Sequence, residues 1–322
     1  MSRLPIAVLG ECVADAFTGS SADRRPGELT LRVLPGGGPA NTAVALARLG
    51  TPTRFLGRIS ADPFGELFRQ HLVSSGVDLA GCVRAAEPST LALATLDEQG
   101  QARYSFHAEG TADWAWTRAE LAALPLAGAS CLHTGSLALV REPGGPRIEE
   151  LLTRVPGRPT VSIDPNVRPL LVDPALYRSR LPRWCAAADI LRLSADDLDL
   201  LLPGVSPEHA CDTWHLAGVR LVVITLGSRG ALASLDGERV TVPAPETVVV
   251  DTVGAGDAFT GGLLHHLGGI GRLGDRLDGL TPDEVHDACR FAARVAALTC
   301  SVAGPNPPWP AALRVAHRPT AP

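Results

Sequence analysis

The residues with the clearest chemistry lie in one segment, DTVGAGDAFTGG, at positions 251–262. Gly254 and Gly256 flank Ala255, and because glycine adopts positive φ without steric cost, this turn can aim several backbone amides at one side. A helix predicted to begin at about Asp257 would add the positive end of its dipole, which makes an anion hole suited to phosphate oxygens. Asp257 at the helix N-cap would either cap the helix, worth about 1 kcal/mol, or accept the proton of an attacking hydroxyl. The turn alone leaves both roles open.

The elements that must position this turn follow an alternating pattern. Short apolar runs recur between helical segments such as 39–50 and 65–76, which predicts an α/β fold with a doubly wound, mostly parallel sheet. The predicted strands cover residues 6–10, 53–60, 129–136, 160–166, 189–194 and 219–227. Ligands of such sheets bind beyond the carboxyl ends of the strands. The candidates at or just after these ends are Asp15, Gly36–Gly38, Asp164, Asn166, Ser194, Gly227 and the 251–257 turn.

Two stretches do not fit this alternation. Residues 27–35 alternate between apolar and polar, and TLALATLD and QARYSFHA alternate on either side of EQG, which predicts a hairpin. We expect a small β element, built from about residues 11–34 and 88–112, that protrudes from the main sheet. The sequence has no long linker, so residues 1–322 are treated as one domain.

Composition and charge exclude several classes of protein. Hydrophobic residues make up 45% of the 322 and charged residues 20%, which predicts a packed core. A net charge of −5 argues against a nucleic-acid-binding surface. No apolar run approaches the roughly 18 residues needed to span a membrane, and the N-terminus lacks the features of a signal peptide. The seven cysteines contain no C-x-x-C pair, so neither a zinc site nor a disulfide framework is indicated, and a cytoplasmic protein is expected.

The chain contains no lysine, since arginine supplies all 29 basic residues. A P-loop needs a lysine on the phosphates, and Schiff-base chemistry needs a lysine amine, so both classes are excluded. Any phosphate must therefore be held by backbone amides, helix N-termini, arginine or a metal ion.

Five motifs, in order along residues 6–304, resemble those of the ribokinase-like (PfkB) family of sugar and nucleoside kinases. They are GE-x-x-AD (10–15), GGGPANTAVALARLG (36–50), DPNVR (164–168), TLGSRGA (225–231) and DTVGAGDAFTGG (251–262). The resemblance implies a small β lid over the main sheet, ATP and Mg²⁺ as co-substrates, and transfer of the γ-phosphate to a substrate hydroxyl.

The same resemblance implies a role for each matching residue. Asp257 would be the catalytic base, and the anion hole would consist of the amides of Gly254, Ala255 and Gly256. The sugar would be bound by Asp15, Gly37, Gly38 and Asn41. The nucleotide would lie along Ser194, Thr225, Gly227 and Ser228. A monovalent cation such as K⁺ would be held by Asp251 and the carbonyl of Val253, as in some members of the family.

One departure from the family pattern concerns the metal. The family often carries Asn-x-x-Glu before the nucleotide site, where this chain has Ser194 and Asp197. Asp197 can still hold Mg²⁺ through water, since Mg²⁺ keeps several waters.

Arg168 and Arg103 are either surface residues or substrate ligands. A planar guanidinium suits a phosphate or substrate clamp, and Arg103 lies on the predicted lid.

More than one acceptor and more than one class of protein stay open. The motifs most resemble the fructokinase branch, with 2-keto-3-deoxygluconate kinases, ribokinase and nucleoside kinases as rivals. A regulator that binds sugar or nucleotide without catalysis also stays open, although the intact Gly-Ala-Gly-Asp favours an enzyme. An NAD-dependent dehydrogenase is excluded, because Gly36–Gly38 lacks the G-x-G-x-x-G spacing. The lid strands can also form a homodimer interface.

Overall fold

The fold is that of a computed structural model, which describes residues 3–18, 27–96, 102–155 and 158–315. The predicted EQG turn lies outside the described residues. The strands are β1 Ile6–Leu9, β2 Val13–Thr18, β3 Leu31–Gly36, β4 Thr53–Leu56, β5 Arg58–Ser60, β6 Val83–Ala85, β7 Thr90–Leu96, β8 Ala102–His107, β9 Cys131–Gly135, β10 Thr160–Asp164, β11 Ile190–Ser194, β12 Leu221–Thr225, β13 Ala231–Leu235 and β14 Glu238–Val242. The helices are α1 Gly38–Arg48, α2 Pro63–Ser74, α3 Arg118–Ala122, α4 Gly144–Leu152, α5 Pro174–Ala187, α6 Ala195–Leu201, α7 Pro207–Leu216, α8 Ala255–Gly269, α9 Pro282–Cys300 and α10 Pro310–Val315.

Eight strands form the large sheet, in the order β14-β13-β12-β11-β10-β9-β1-β4. The six strands from β12 to β4 run parallel, and β13 and β14 close the other edge as an antiparallel hairpin. The predicted α/β fold with a doubly wound, mostly parallel sheet is therefore confirmed.

Alternation along β1 shows that helices cover both faces of this sheet. Ile6 and Val8 pack in one buried cluster with Leu263 of α8, whereas Ala7 and Leu9 pack in another with Trp184 of α5. Side chains of a strand point alternately to opposite faces, so each face of β1 has its own core. This arrangement explains why the run is apolar throughout rather than alternating.

The small sheet has four strands in the order β3-β2-β7-β8. β2 pairs antiparallel with β3 and parallel with β7, and β7 pairs antiparallel with β8. Its strands come from the two segments in which the sequence predicted a protruding β element. β3 runs into α1 across the single residue Gly37, so the small sheet connects directly to the helix of the second long motif.

One predicted strand is wrong in its extent. The run TRFLGRIS at 53–60 forms two strands, because the chain changes sheet at Gly57. β4 joins the large sheet beside β1, whereas β5 pairs with β6. A Cβ built on Gly57 would lie 2.4 Å from the ring of Phe55, so a larger residue there would displace that ring. No helix among the described residues is long and apolar enough to cross a membrane.

Candidate active site

Asp257 lies in the first turn of α8, but not at the position that the sequence predicted. The helix begins at Ala255 and its N-cap is Gly254, in the left-handed conformation at φ 77°. The amide of Ala255 donates to the carbonyl of Thr252 at 3.2 Å, which closes the turn before the helix. The N-cap assignment of Asp257 is therefore wrong: Asp257 is the third residue of the helix, and its side chain makes no capping bond. Its carboxylate is available for other contacts.

Those contacts come from α1. The Asn41 side-chain amide donates to Oδ2 of Asp257 at 2.9 Å, across 216 residues of sequence. Thr42 Oγ1 donates to the backbone carbonyl of Asp257 at 3.4 Å. The two long glycine-rich motifs thus meet through the first turns of α1 and α8, and Asn41 fixes the orientation of the Asp257 carboxylate.

The charges around Asp257 set its acidity. Burial raises its pKa to about 6, the Asn41 hydrogen bond lowers it, the Asp164 carboxylate raises it, and the guanidinium groups of Arg168 and Arg192 lower it. At pH 7 the carboxylate is ionised, yet its proton affinity lies close to the working pH. That combination suits a general base, which is most effective when its pKa is near the operating pH.

Asp15 faces the same region from β2. Burial raises the pKa of its carboxyl to about 6, and the charge of Arg168 lowers it. A Cβ built on Gly36 would lie 2.1 Å from Oδ2 of Asp15, so glycine at this position leaves the space that the carboxylate occupies. Arg168 influences the pKa of both Asp15 and Asp257, which places its positive charge near each of them.

Gly37 and Gly38 bring the backbone close to the same point. Gly37 has φ 101°, and a Cβ there would lie 2.6 Å from the carbonyl oxygen of Glu11. A Cβ on Gly38 would lie 2.6 Å from Nδ2 of Asn166 and 3.3 Å from Oδ1 of Asp257. A side chain on Gly38 would therefore collide with Asn166 and crowd the Asp257 carboxylate.

A cavity of about 610 Å³ opens at the start of α8. Its lining includes three predicted nucleotide ligands and two members of the predicted anion hole: Thr225, Gly227, Ser228, Ala255 and Gly256. Apolar groups from Val249, Ala293, Ala296 and Phe259 complete the walls. The first amides of a helix have no carbonyl partner within the helix, so the start of α8 offers donors to an anion in this cavity.

Ser194 and Asp197 lie in a capping box rather than on the cavity wall. Ser194 Oγ accepts the amide of Asp197 at 3.0 Å, and Oδ2 of Asp197 accepts the amide of Ser194 at 3.1 Å. The other carboxylate oxygen accepts the amide of Val167 at 2.8 Å. Asp197 therefore braces the segment before Arg168, and a metal-bound water would have to use its remaining lone pairs.

Asp251 holds the turn that precedes the anion hole. Its Oδ1 accepts the amide of Val253 at 3.0 Å and its Oδ2 accepts the amide of Gly304 at 2.8 Å. Within the described ranges, no group of three His, Cys, Asp or Glu residues converges as a metal site would. A cation here would depend on backbone carbonyls and a single carboxylate.

Arg103 is not brought to this region. It lies on β8 opposite Thr95, and Asp15 is in register with Ala92 and, across β7, with Phe106. Three positions separate Arg103 from Phe106, so the side chains of Arg103 and Asp15 project from opposite faces of the small sheet. The exposed Arg103 side chain points away from the Asp15 face.

Two residues near the turn were not among the predicted site residues. Asn166, noted only as a strand-end candidate, has φ 43°, a conformation uncommon outside glycine, and its amide reaches Gly38. Arg192 is 5% exposed in the middle of β11 and lines the cavity. The sequence signal that could have indicated Arg192 is a single charged residue inside the otherwise apolar run ILRLS.

Comparison with known proteins gives consistent results. The family model for the pfkB family carbohydrate kinase matches residues 4–312. A fructokinase of Rhizobium leguminosarum bv. trifolii is 39% identical over 267 residues, covering 81% of this chain and 79% of that relative. Fructokinase with bound ATP from Xylella fastidiosa superposes with a TM-score of 0.83 at 26% identity, covering 93% of each chain. A fructokinase double mutant from Vibrio cholerae O395, in a form with fructose, ADP and potassium ion bound, gives 0.80 at 27% identity and 94% coverage of each chain.

Proposed function

This chain belongs to the pfkB family of carbohydrate kinases, and from that premise we propose that it transfers the γ-phosphate of ATP to the primary hydroxyl of fructose. The observation that carries the proposal is the position of Asp257, whose carboxylate lies beside Gly38 and Asn41 and which directly follows Gly256 on the cavity wall. Fructose is favoured among acceptors because the relatives described above are fructokinases.

The sugar would bind on the Asp15 side. A carboxylate accepts hydrogen bonds from two neighbouring hydroxyls, and Asp15 is ionised at pH 7 because its pKa is about 6. Asn41, Gly37 and Gly38 would complete this pocket, with the glycine backbone close to the sugar. The positive charge of Arg168 acts on both carboxylates, and its guanidinium is the candidate to neutralise charge on the transferred phosphate.

The chemical step would use the free side of Asp257. Asn41 engages Oδ2, whereas no residue that the structure describes donates a hydrogen bond to Oδ1, so Oδ1 is the oxygen that would receive the hydroxyl proton. The carboxylate accepts the hydroxyl proton as the oxygen bonds to the γ-phosphorus and the bond to ADP breaks. Amides of Gly254 and Gly256 would stabilise the charge that develops on the phosphoryl oxygens, and the amide of Ala255 would join them on leaving the Thr252 carbonyl, to which it donates at 3.2 Å.

Thr225, Gly227 and Ser228 would border the nucleotide, with Ser194 behind them at the end of β11. Mg²⁺ bound to ATP would neutralise the phosphate oxygens, and an ion that arrives with its own waters fits a site with few carboxylates. Asp197 is the candidate for contact through water, and Asp251 with the Val253 carbonyl is the candidate for K⁺.

We assign residues 1–322 to one kinase domain in which the small sheet acts as a lid. Closure of a lid excludes water that would otherwise hydrolyse ATP. The cytoplasm remains our predicted location.

The test is ATP-to-ADP turnover with Mg²⁺ against fructose, 2-keto-3-deoxygluconate, ribose, adenosine and fructose 6-phosphate. We expect turnover on fructose, and a loss of about 10²–10⁴-fold in kcat for Asp257→Asn with KM changed only a few-fold. Asp196→Asn removes an exposed carboxylate as a control. Turnover on another acceptor would correct the sugar but keep the base. Binding of ATP without turnover on any acceptor would favour the regulator.

We also propose a homodimer through the lid. Phe17 and Tyr104 are 41% and 53% exposed. By register they lie on the same face of the small sheet as Asp15. Exposed aromatic side chains of this kind favour burial against a second copy. Sedimentation should give twice the 33.6 kDa of one chain, and Tyr104→Asp should shift the mass toward the monomer. A wild-type monomer at micromolar concentration would contradict the dimer.

A further inference from the structure

Arg192 is a buried cation for which the mechanism above has no role. Its side chain lies within β11, with 6% of it exposed. One terminal nitrogen donates to Oδ2 of Asp164 at 2.8 Å, and the other donates to Thr225 Oγ1 at 2.8 Å. Asp164 ends β10 and Thr225 ends β12. The guanidinium therefore joins the carboxyl ends of three neighbouring strands.

The same group lies directly against the predicted anion hole. A Cβ built on Gly256 would lie 2.8 Å from one terminal nitrogen of Arg192 and 3.1 Å from the other. The ring of Phe259, one turn further along α8, is 5.7 Å from the guanidinium carbon. The start of α8 thus packs onto the Arg192 guanidinium, and a side chain at position 256 would collide with that group in its present position.

Hydrogen bonds at this group are incomplete. Nε of Arg192 and Oδ1 of Asp164 are both buried and have no hydrogen-bond partner among the residues that the structure describes. An unsatisfied buried polar atom costs free energy, so a pair that keeps two of them is not optimised for stability alone. Such a cost is expected where a group has a functional position.

We propose that Arg192 is a positioning residue for phosphoryl transfer, which seats the Gly254–Gly256 turn against the sheet so that its amides point at the transferred phosphate. The inference deepens the proposed function and rests on it. The planar fork of arginine contacts Asp164, Thr225 and Gly256 at once, which a lysine ammonium cannot do.

The charge of Arg192 has a second effect, on the base. The charged groups that face Asp257 are Asp164 from β10, Arg168 after it and Arg192 from β11. Arg192 lowers the pKa of Asp257 and Asp164 raises it. Removing only Arg192 should therefore shift the acidic limb of the kcat/KM profile to higher pH, and removing both charges should largely restore it.

The experiment compares Arg192→Met/Asp164→Asn with wild type, because the double variant removes the pair without leaving a buried charge unpaired. We expect a folded enzyme with kcat about 100-fold lower and KM for ATP within about 3-fold, the size of effect of losing one oxyanion donor. Arg192→Lys should recover only part of kcat. Arg180→Met, which breaks an ion pair with Glu149 at 2.8 Å, is the matched control and should keep kcat.

Two kinetic results would overturn the proposal. A kcat within about 3-fold of wild type in the double variant would make Arg192 structural only. A large rise in KM for ATP at unchanged kcat would make it a nucleotide ligand instead.

A second measurement needs no turnover, so it separates this inference from the choice of fructose. Gly256→Ala is introduced into wild type and into Arg192→Met/Asp164→Asn, and the urea midpoint of unfolding is measured for all four proteins. The contact with Gly256 predicts a large downward shift in wild type and a smaller one in the double variant. Equal shifts in both backgrounds would contradict the contact, whatever the acceptor sugar is.

Discussion

Two buried carboxylate clusters support the site in opposite ways. At the carboxyl edge of the large sheet, Asp164 is paired with Arg192 at 2.8 Å. Where the small sheet joins the large one, Glu11 and Asp113 are buried, and no arginine or histidine in the described part of the chain forms an ion pair with either. Glu11 accepts the amide of Ala138 at 3.2 Å, and Asp113 accepts the amide of Cys12 at 2.9 Å.

This difference in pairing is accompanied by raised pKa values of the two carboxyls at the junction of the sheets. Burial raises the pKa of Glu11 to about 7 and that of Asp113 to about 6, against hydrogen bonds that lower them. A carboxylate without a nearby cation avoids the cost of a buried charge by taking up a proton. The site edge is thus held by charge pairing, whereas the junction has carboxyls that change charge near neutral pH.

The largest expected effect comes from breaking the paired cluster. Asp164→Asn leaves Arg192 buried and unpaired, so the free energy of unfolding should fall by about 3–5 kcal/mol. Urea unfolding at pH 7 measures the loss, and Arg192→Met/Asp164→Asn should recover most of it. A loss below 1 kcal/mol would mean that the pair contributes little, and the contrast between the clusters would disappear.

At the junction of the sheets, removing a carboxyl is expected to raise the free energy of unfolding at high pH, whereas Asp164→Asn lowers it. The pKa of Glu11 rises from 4.5 unfolded to about 7 folded, so its contribution to stability is fully present below pH 4.5 and is lost as the pH rises through 7. At roughly 1.4 kcal/mol per pKa unit, wild type should lose roughly 2–3 kcal/mol from this group between pH 5 and 8.5. Glu11→Gln should remove that loss in urea titrations at both pH values.

The exposed Glu238 provides the control for that comparison. Glu238→Gln should leave the difference in unfolding free energy between the two pH values unchanged. If Glu11→Gln shows the same pH dependence as wild type, the junction carboxyl is not protonated near neutrality and the comparison fails.

The smallest effect concerns the cap beside the paired cluster. Ser194→Ala removes the N-cap of α6, which should lower the free energy of unfolding by about 1 kcal/mol. Ser206→Ala removes the N-cap of α7, whose Oγ accepts the amide of His209 at 3.3 Å, and should cost a similar amount in the same thermal or urea measurement. A much larger loss at Ser194 would show that the brace from Asp197 to Val167 depends on this cap.

Sequence patterns could predict what is local. The apolar runs predicted the strands of the parallel sheet, and the alternating stretches predicted the small one. They could not predict that α8 begins at Ala255, because the left-handed Gly254 closes a turn on Thr252 that residue types alone do not specify. The division of 53–60 at Gly57 depends on sheet pairing, which is not local either.

The predictions for the site also separate into residues that local motifs indicated and contacts between remote residues that they did not. Family motifs pointed to Asp257 and Asn41 separately, but their hydrogen bond spans 216 residues and only the fold reveals it. Arg192 was missed because a charged residue in an apolar strand carries no motif. The role proposed for Arg192 depends on its contacts with Asp164 and Gly256, which are remote from it in sequence and adjacent only in space.

The single residue between β3 and α1 has a mechanical consequence. β3 pairs along β2, which carries Asp15, and it continues through Gly37 into the helix turn that carries Asn41. Only Gly37 lies between β3 and the helix whose Asn41 amide donates to the Asp257 carboxylate, so a shift of β3 would be passed to that amide. Under the proposed function, a displacement of β2 and β3 on sugar binding would also reorient Asn41 and the carboxylate that it holds, so the proposed base would respond to whether the pocket is occupied.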